Sequence, residues 1–142
     1  MLLGAKEQEA VKQRLSTLTG QVKMVLFETA IDCAYCPQTK QLVEEIAALS
    51  PKLEVEVHNF RTDEDAVAQY GVKQVPAIVL VDEHGKDYGI RFYGIPSGYE
   101  FATLLEDIEM ISTQKTSLSQ KALDALQSLA TPVHLQVFVT PT

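Results

Sequence analysis

The chain has 142 residues, 46% hydrophobic and 22% charged, with two cysteines. This is about one domain by length, with enough apolar side chains for a core, which excludes a disordered tail, a collagen-like fibre and a disulfide-stapled scaffold. Twelve Lys and Arg against nineteen Asp and Glu leave a net charge of −7, and with no basic run, nucleic acid binding is not expected.

No apolar run approaches the ~20 residues that span a bilayer, and Met1–Leu2–Leu3 gives way at once to Lys6, Glu7, Glu9, Lys12 and Arg14. A soluble cytoplasmic protein without a membrane partner is expected. In a reducing cytosol, a close cysteine pair points to redox or metal chemistry before a structural disulfide.

Ala10, Val11, Leu15 and Leu18 recur at helical spacing over Lys6–Leu18, with Gly20 ending the segment. Val22–Phe27 is short and mostly apolar, which fits an interior strand covered on both faces. A helix begins near Cys36, with Pro37 in its first turn and Leu42, Val43, Ile46 and Leu49 as its buried stripe; Pro51 breaks it. Over Leu53–Phe60, apolar Leu53, Val55 and Val57 alternate with Glu54, Glu56 and His58, so one face of this strand should meet solvent. A short helix is predicted over Asp63–Tyr70, capped by Gly71. Ala77–Val81 reads as a buried strand, Glu83–Lys86 as a hairpin turn and Asp87–Tyr93 as its antiparallel partner. Phe101, Leu104, Leu105 and Ile108 mark a helix over Tyr99–Ile111.

Beyond a polar linker at Thr113–Ser117, Leu118, Ala122, Ala125, Leu126 and Leu129 predict an amphipathic helix over Leu118–Ala130, and Val133–Val139 alternates as a strand. Val11, Leu15 and Leu18 match Ala122, Leu126 and Leu129 at a constant offset, and Val25-Leu-Phe matches Val137-Phe-Val almost in step. This repeat suggests one unit over 1–112, a linker over 113–117, and over 118–142 the opening of a second, incomplete unit. A strand without a sheet is an exposed edge, so the segment is expected to pair with the first unit or with a second copy of the chain, as a homodimer.

Chemistry centres on Cys33-Ala34-Tyr35-Cys36-Pro37. Two intervening residues let the sulfurs approach at a helix N-terminus, whose free N–H groups and dipole favour a thiolate. Cys33 can sit exposed at the tip, with Cys36 buried one turn on. A pair of unreactive buried thiols is the plain alternative. A metal site is another, although His58, His84 and His134 stand on separate elements, so no metal is assigned; a zinc or iron–sulfur site shared between two chains stays open. Val75-Pro76 opens the strand expected beside the cysteine strand. Proline there is commonly an edge or turn device, but a cis bond would turn the Val75 backbone toward Cys33 and offer a substrate strand a hydrogen-bonding edge.

The order β-CxxC-α-β-α-Pro-β-β-α over residues 6–112 resembles the thioredoxin fold. Phe27-Glu-Thr-Ala-Ile-Asp-Cys-Ala-Tyr-Cys36, Arg91-Phe-Tyr-Gly-Ile-Pro-Ser-Gly-Tyr-Glu-Phe101 and Val137-Phe-Val-Thr-Pro-Thr142 resemble the glutaredoxin-like protein disulfide oxidoreductases of thermophiles, which fuse two such units. The resemblance implies an α/β fold with a central mixed four-stranded sheet flanked by helices, plus the C-terminal helix and strand. It implies thiol-disulfide exchange with protein substrates, Cys33 and Cys36 as the redox pair, Pro76 as a cis-proline, Tyr35, Val75 and Pro76 as substrate-binding residues, no cofactor, and a thioredoxin-reductase-like electron donor as a further partner. The pair is not Cys-Gly-Pro-Cys, the chain has no Trp, and a Gly-Gly glutathione site is missing, so glutathione specificity is not implied.

Cys33 is expected to attack and Cys36 to resolve, at an intermediate redox potential. Glu28 and Asp32 read as solvated acids, since a nearby carboxylate opposes a thiolate. His58 reads as surface, and Tyr93, Tyr99 and Phe101 as core aromatics. A different class of function is a redox-inactive docking module whose main active site lies in a missing C-terminal half.

Overall fold

A computed structural model describes residues 2–139. The elements run α1 (Ala5–Leu15), β1 (Val22–Glu28), α2 (Cys36–Ala47), β2 (Leu53–Asn59), α3 (Glu64–Tyr70), β3 (Ala77–Asp82), β4 (Asp87–Tyr93), α4 (Tyr99–Thr113) and α5 (Gln120–Gln127). One sheet has the order β2-β1-β3-β4, with β1 and β2 parallel and β3 antiparallel to both its neighbours. This is the mixed four-stranded sheet that the resemblance implies.

β1 and β3 are central, and their side chains alternate between two cores. Val22, Met24 and Leu26 of β1 join Ile78 and Leu80 of β3 under α1, α2 and α4, while Val25, Phe27, Val79 and Val81 face α3. Burial on both faces explains why these strands read as continuous apolar runs. Val11 and Leu15 are buried in α1 as expected, whereas Ala10 is exposed and Leu18 is buried just beyond the helix end. Gly20 does more than end that helix: a Cβ there would lie 3.1 Å from the carbonyl oxygen of Ser112. Its small size lets the α1–β1 turn close on the end of α4, where Ser112 Oγ donates to the Gly20 carbonyl at 2.6 Å. Gly71 ends α3 in the left-handed region (φ 61), a conformation glycine adopts without penalty.

The C-terminal segment departs from expectation. α5 forms, shorter than predicted, with Ser119 Oγ accepting from the Ala122 N–H. None of its residues is buried: Leu126 and Leu129 face solvent and Ala122 is only half-covered, where their counterparts Leu15, Leu18 and Val11 are buried, and Leu118 is exposed as well. Residues 133–139 form no strand, and Leu135, Val137, Phe138 and Val139 are exposed, Phe138 to 90%. Pairing of this segment with the first unit is therefore corrected. An alternating pattern supplies side-chain preference, but a strand also needs a partner's N–H and C=O groups, and no described strand supplies them. Thr140–Thr142 of the quoted ending lie outside the described residues.

Candidate active site

Strand directions bring four loops to one pole. β1 ends at Glu28 beside Asn59 of β2, Phe27 lies opposite Ala77 of β3, and Ala77 opposite Tyr93 of β4. The cysteine loop, the β2–α3 turn, the Val75–Pro76 step and the β4–α4 loop thus surround the N-terminus of α2. The two faces of the pair differ: Cys33 is half-buried and Cys36 only 2% exposed. They form a disulfide with Cα atoms 5.4 Å apart. Tyr35 is the N-cap residue of α2 and Pro37 lies in its first turn, a position where the missing proline N–H costs nothing. Tyr35 is 60% exposed and Ile31 is exposed before it.

The Val75–Pro76 bond is cis. Pro76 is buried, Val75 half-buried, and the Pro76 carbonyl accepts from the Gly94 N–H at 2.9 Å, which joins the proline step to the β4–α4 loop. Tyr99 at the start of α4 is 82% exposed and Tyr93 is exposed at the end of β4, so both belong to the rim of this pole rather than to the core; Phe101 alone of the three aromatics packs against it.

Glu28 does not stand free in solvent. Even-numbered residues of β1 face α2, and Lys40, one turn beyond Cys36, reaches Glu28 Oε1 with its Nζ at 3.1 Å. The cation offsets the carboxylate whose charge weighed against a thiolate, a pairing between strand and helix that local spacing could not disclose. Asp32 is exposed, has φ 57 and lies 3.7 Å from Arg61. Thr39, absent from the residues singled out by pattern, is fully buried with its hydroxyl donating to the Tyr35 carbonyl at 2.7 Å. Its signal was a polar residue on the buried stripe of α2, three positions after Cys36.

His58 is not a solvated surface residue. It stacks on Phe27 with ring centroids 5.4 Å apart, and its ring nitrogens lie 2.7 Å from Glu56 and 3.2 Å from Asp63. α3 covers part of the β2 face that alternation assigned to water. The hydrogen bond from Lys23, then that with His58, holds the Glu56 carboxyl low; the Asn59 N–H, Thr62 and His58 do the same for Asp63. The Asp63 turn rests on the cysteine strand through the Phe60 N–H donating to the Glu28 carbonyl at 2.8 Å. Among the described residues no group of three or more His, Cys, Asp or Glu could hold a metal ion, and no helix is long and apolar enough to cross a membrane.

A family model described as a thioredoxin-like domain matches residues 10–109. An alkyl hydroperoxide reductase subunit from Staphylococcus aureus is 26% identical over 141 residues, 99% of this chain and 25% of the relative, and its Staphylococcus epidermidis counterpart is 27% identical over the same span. The chain thus spans about a quarter of these relatives. Among solved structures, the N-terminal domain of the alkylhydroperoxide reductase AhpF from Enterococcus faecalis superposes with a TM-score of 0.81 at 24% identity, covering 89% of this chain and 61% of that one. A protein disulfide oxidoreductase from Aeropyrum pernix gives 0.78 at 24% identity, covering 91% and 56%. At these identities the structural likeness establishes the shared fold.

Proposed function

The chain belongs to the thioredoxin-like domain family, and on that premise we propose that it is a thiol-disulfide oxidoreductase acting on protein substrates through Cys33 and Cys36. The observation that carries this reading is the asymmetry of the pair, one sulfur reachable and the other buried behind it at a helix N-terminus. In the reducing direction, the Cys33 thiolate attacks a substrate disulfide, forming a mixed disulfide and releasing one substrate thiolate. Cys36 then gives up its proton and attacks Cys33, which closes the Cys33–Cys36 bond and expels the second substrate sulfur, to be protonated by solvent. Run backwards, the same steps oxidise a substrate dithiol. The half-buried Val75 backbone offers an extended substrate segment a hydrogen-bonding edge beside cis-Pro76, and Tyr35 adds an exposed aromatic face. An external dithiol, such as a thioredoxin-reductase-like donor, returns the pair to its reduced form, and the reducing cytoplasm suits that cycle.

For residues 118–142 we propose a partner outside the described fold, either a further thioredoxin-like unit or the same segment of a second copy. The unburied α5 stripe and the internal repeat support this. Insulin reduction tests the redox role: Cys33→Ser should abolish it, and Cys36→Ser should accumulate a mixed disulfide visible by mass. Equal rates for wild type and Cys33→Ser would leave a redox-inactive docking module as the reading.

A further inference from the structure

Thr39 is a polar side chain at 0% exposure, on a stripe otherwise made by Cys36, Leu42, Val43 and Ile46. A buried hydroxyl costs stability unless it is hydrogen-bonded. Here Oγ1 donates to the Tyr35 carbonyl at 2.7 Å, and the same carbonyl already accepts the Thr39 backbone N–H at 2.9 Å. The helix bond alone satisfies that carbonyl, so the hydroxyl can leave it without orphaning a buried acceptor. Side chains on a helix lean toward its N-terminus, and residues three apart share a face. The Thr39 hydroxyl therefore lies in the turn that carries Cys36.

Reduction changes what that turn must satisfy. In the disulfide the Cys36 sulfur is uncharged and bonded to Cys33. When an external dithiol reduces the pair, the S–S bond breaks, two electrons and two protons enter, and the dithiol becomes a disulfide. Cys36 is left as a buried thiol, and as a thiolate when it attacks a mixed disulfide, with almost no access to water. A hydroxyl can accept from the thiol or donate to the thiolate.

Resting on the reading of Cys33–Cys36 as the exchange pair, we propose that Thr39 is a positioning residue whose hydroxyl passes from the Tyr35 carbonyl in the disulfide form to the Cys36 sulfur in the reduced form, stabilising the reduced pair.

The test is equilibration of the full chain with reduced and oxidised dithiothreitol, followed by alkylation and mass analysis, for wild type, Thr39→Val and Thr39→Ser. Thr39→Val keeps the volume and loses the hydroxyl; it should shift the equilibrium about tenfold toward the disulfide, a potential lower by about 30 mV. Thr39→Ser should stay within about twofold of wild type, because the hydroxyl is retained. Thermal melting of the oxidised forms reports packing separately. A wild-type equilibrium in Thr39→Val, or an equal shift in Thr39→Ser, overturns the role of Thr39. Failure of the wild type to exchange with the dithiol would instead overturn the reading of the pair itself.

Discussion

Removing everything after Ser117 should leave the fold and its disulfide chemistry intact. Among the described residues the buried apolar ones all fall between Leu3 and Ile111, and α5 contributes none. Among the described residues of the deleted segment only Ala122 and Leu123 are half-covered; Leu118, Leu126, Leu129 and the apolar residues of 133–139 are exposed. Fully burying a leucine contributes about 1.5–3 kcal/mol and a methyl about 0.8 kcal/mol, so a half-covered leucine and alanine bound the loss at about 2 kcal/mol. Urea unfolding followed by circular dichroism, on equal concentrations of both chains, reads this directly. The expected result is a free energy within about 2 kcal/mol of the full chain, a slightly smaller m-value and an unchanged rate of insulin reduction. A loss of about 3 kcal/mol or more, or a broadened transition, would refute the argument by showing that the segment packs on the first unit. Sedimentation of both chains checks the partner proposal: association that disappears on truncation assigns the segment to a second copy.

Phe27→Ala should cost about 3–5 kcal/mol in the same unfolding assay, because the ring is fully buried against His58 and Tyr70; a cost below about 1 kcal/mol would contradict that packing. Gly20→Ala should cost about 1–2 kcal/mol, since its Cβ would press on the Ser112 carbonyl at 3.1 Å, and a wild-type melting temperature would count against it. Lys40→Met should cost less than about 1 kcal/mol, as Glu28 and Lys40 are both partly solvated. Stability should fall as the solution is acidified. The Leu3 N–H, with Gln41 and the Leu2 N–H, lowers Glu45 from 4.5 to about 2, and Glu56, Asp63 and Asp87 are also lowered, the last chiefly by Arg91. Carboxyls depressed in the folded state stabilise it above their unfolded values, and the gain is lost as pH drops from about 4.5 through the folded values. Urea midpoints that stay flat between about pH 5 and pH 2.5 would contradict this.

Much of the architecture was legible locally because burial imposes periodicity. The runs at Val22–Phe27 and Ala77–Val81 and the helical stripes of α2 and α4 each name a face that must be covered, and the structure covers them. The cysteine pair and the Val75–Pro76 step were visible for a similar reason: each is a short-range covalent pattern with few structural uses. Outcomes set by a neighbour distant in the chain were not visible. His58 alternates like a solvent-facing residue until Phe27 and the α3 turn close over it, Glu28 looks like a lone acid until α2 brings Lys40 to it, and Tyr99 looks like core until the β4–α4 loop holds it outward.

Residues 118–139 draw the same boundary most sharply. The sequence alone determined that this segment has the apolar pattern of α1 and β1, since pattern is a property of the chain. Whether such a helix is buried and such a run becomes a strand depends on complementary surface and hydrogen-bonding partners, which tertiary structure provides for α1 and β1 and does not provide here. For the two cysteines the division is similar. Their spacing at a helix start determined that they could bond and that Cys36 would lie the deeper, and the packing of α2 on the sheet decided how far, leaving Cys33 half-buried and Cys36 only 2% exposed, because exposure is set by what the rest of the chain leaves uncovered.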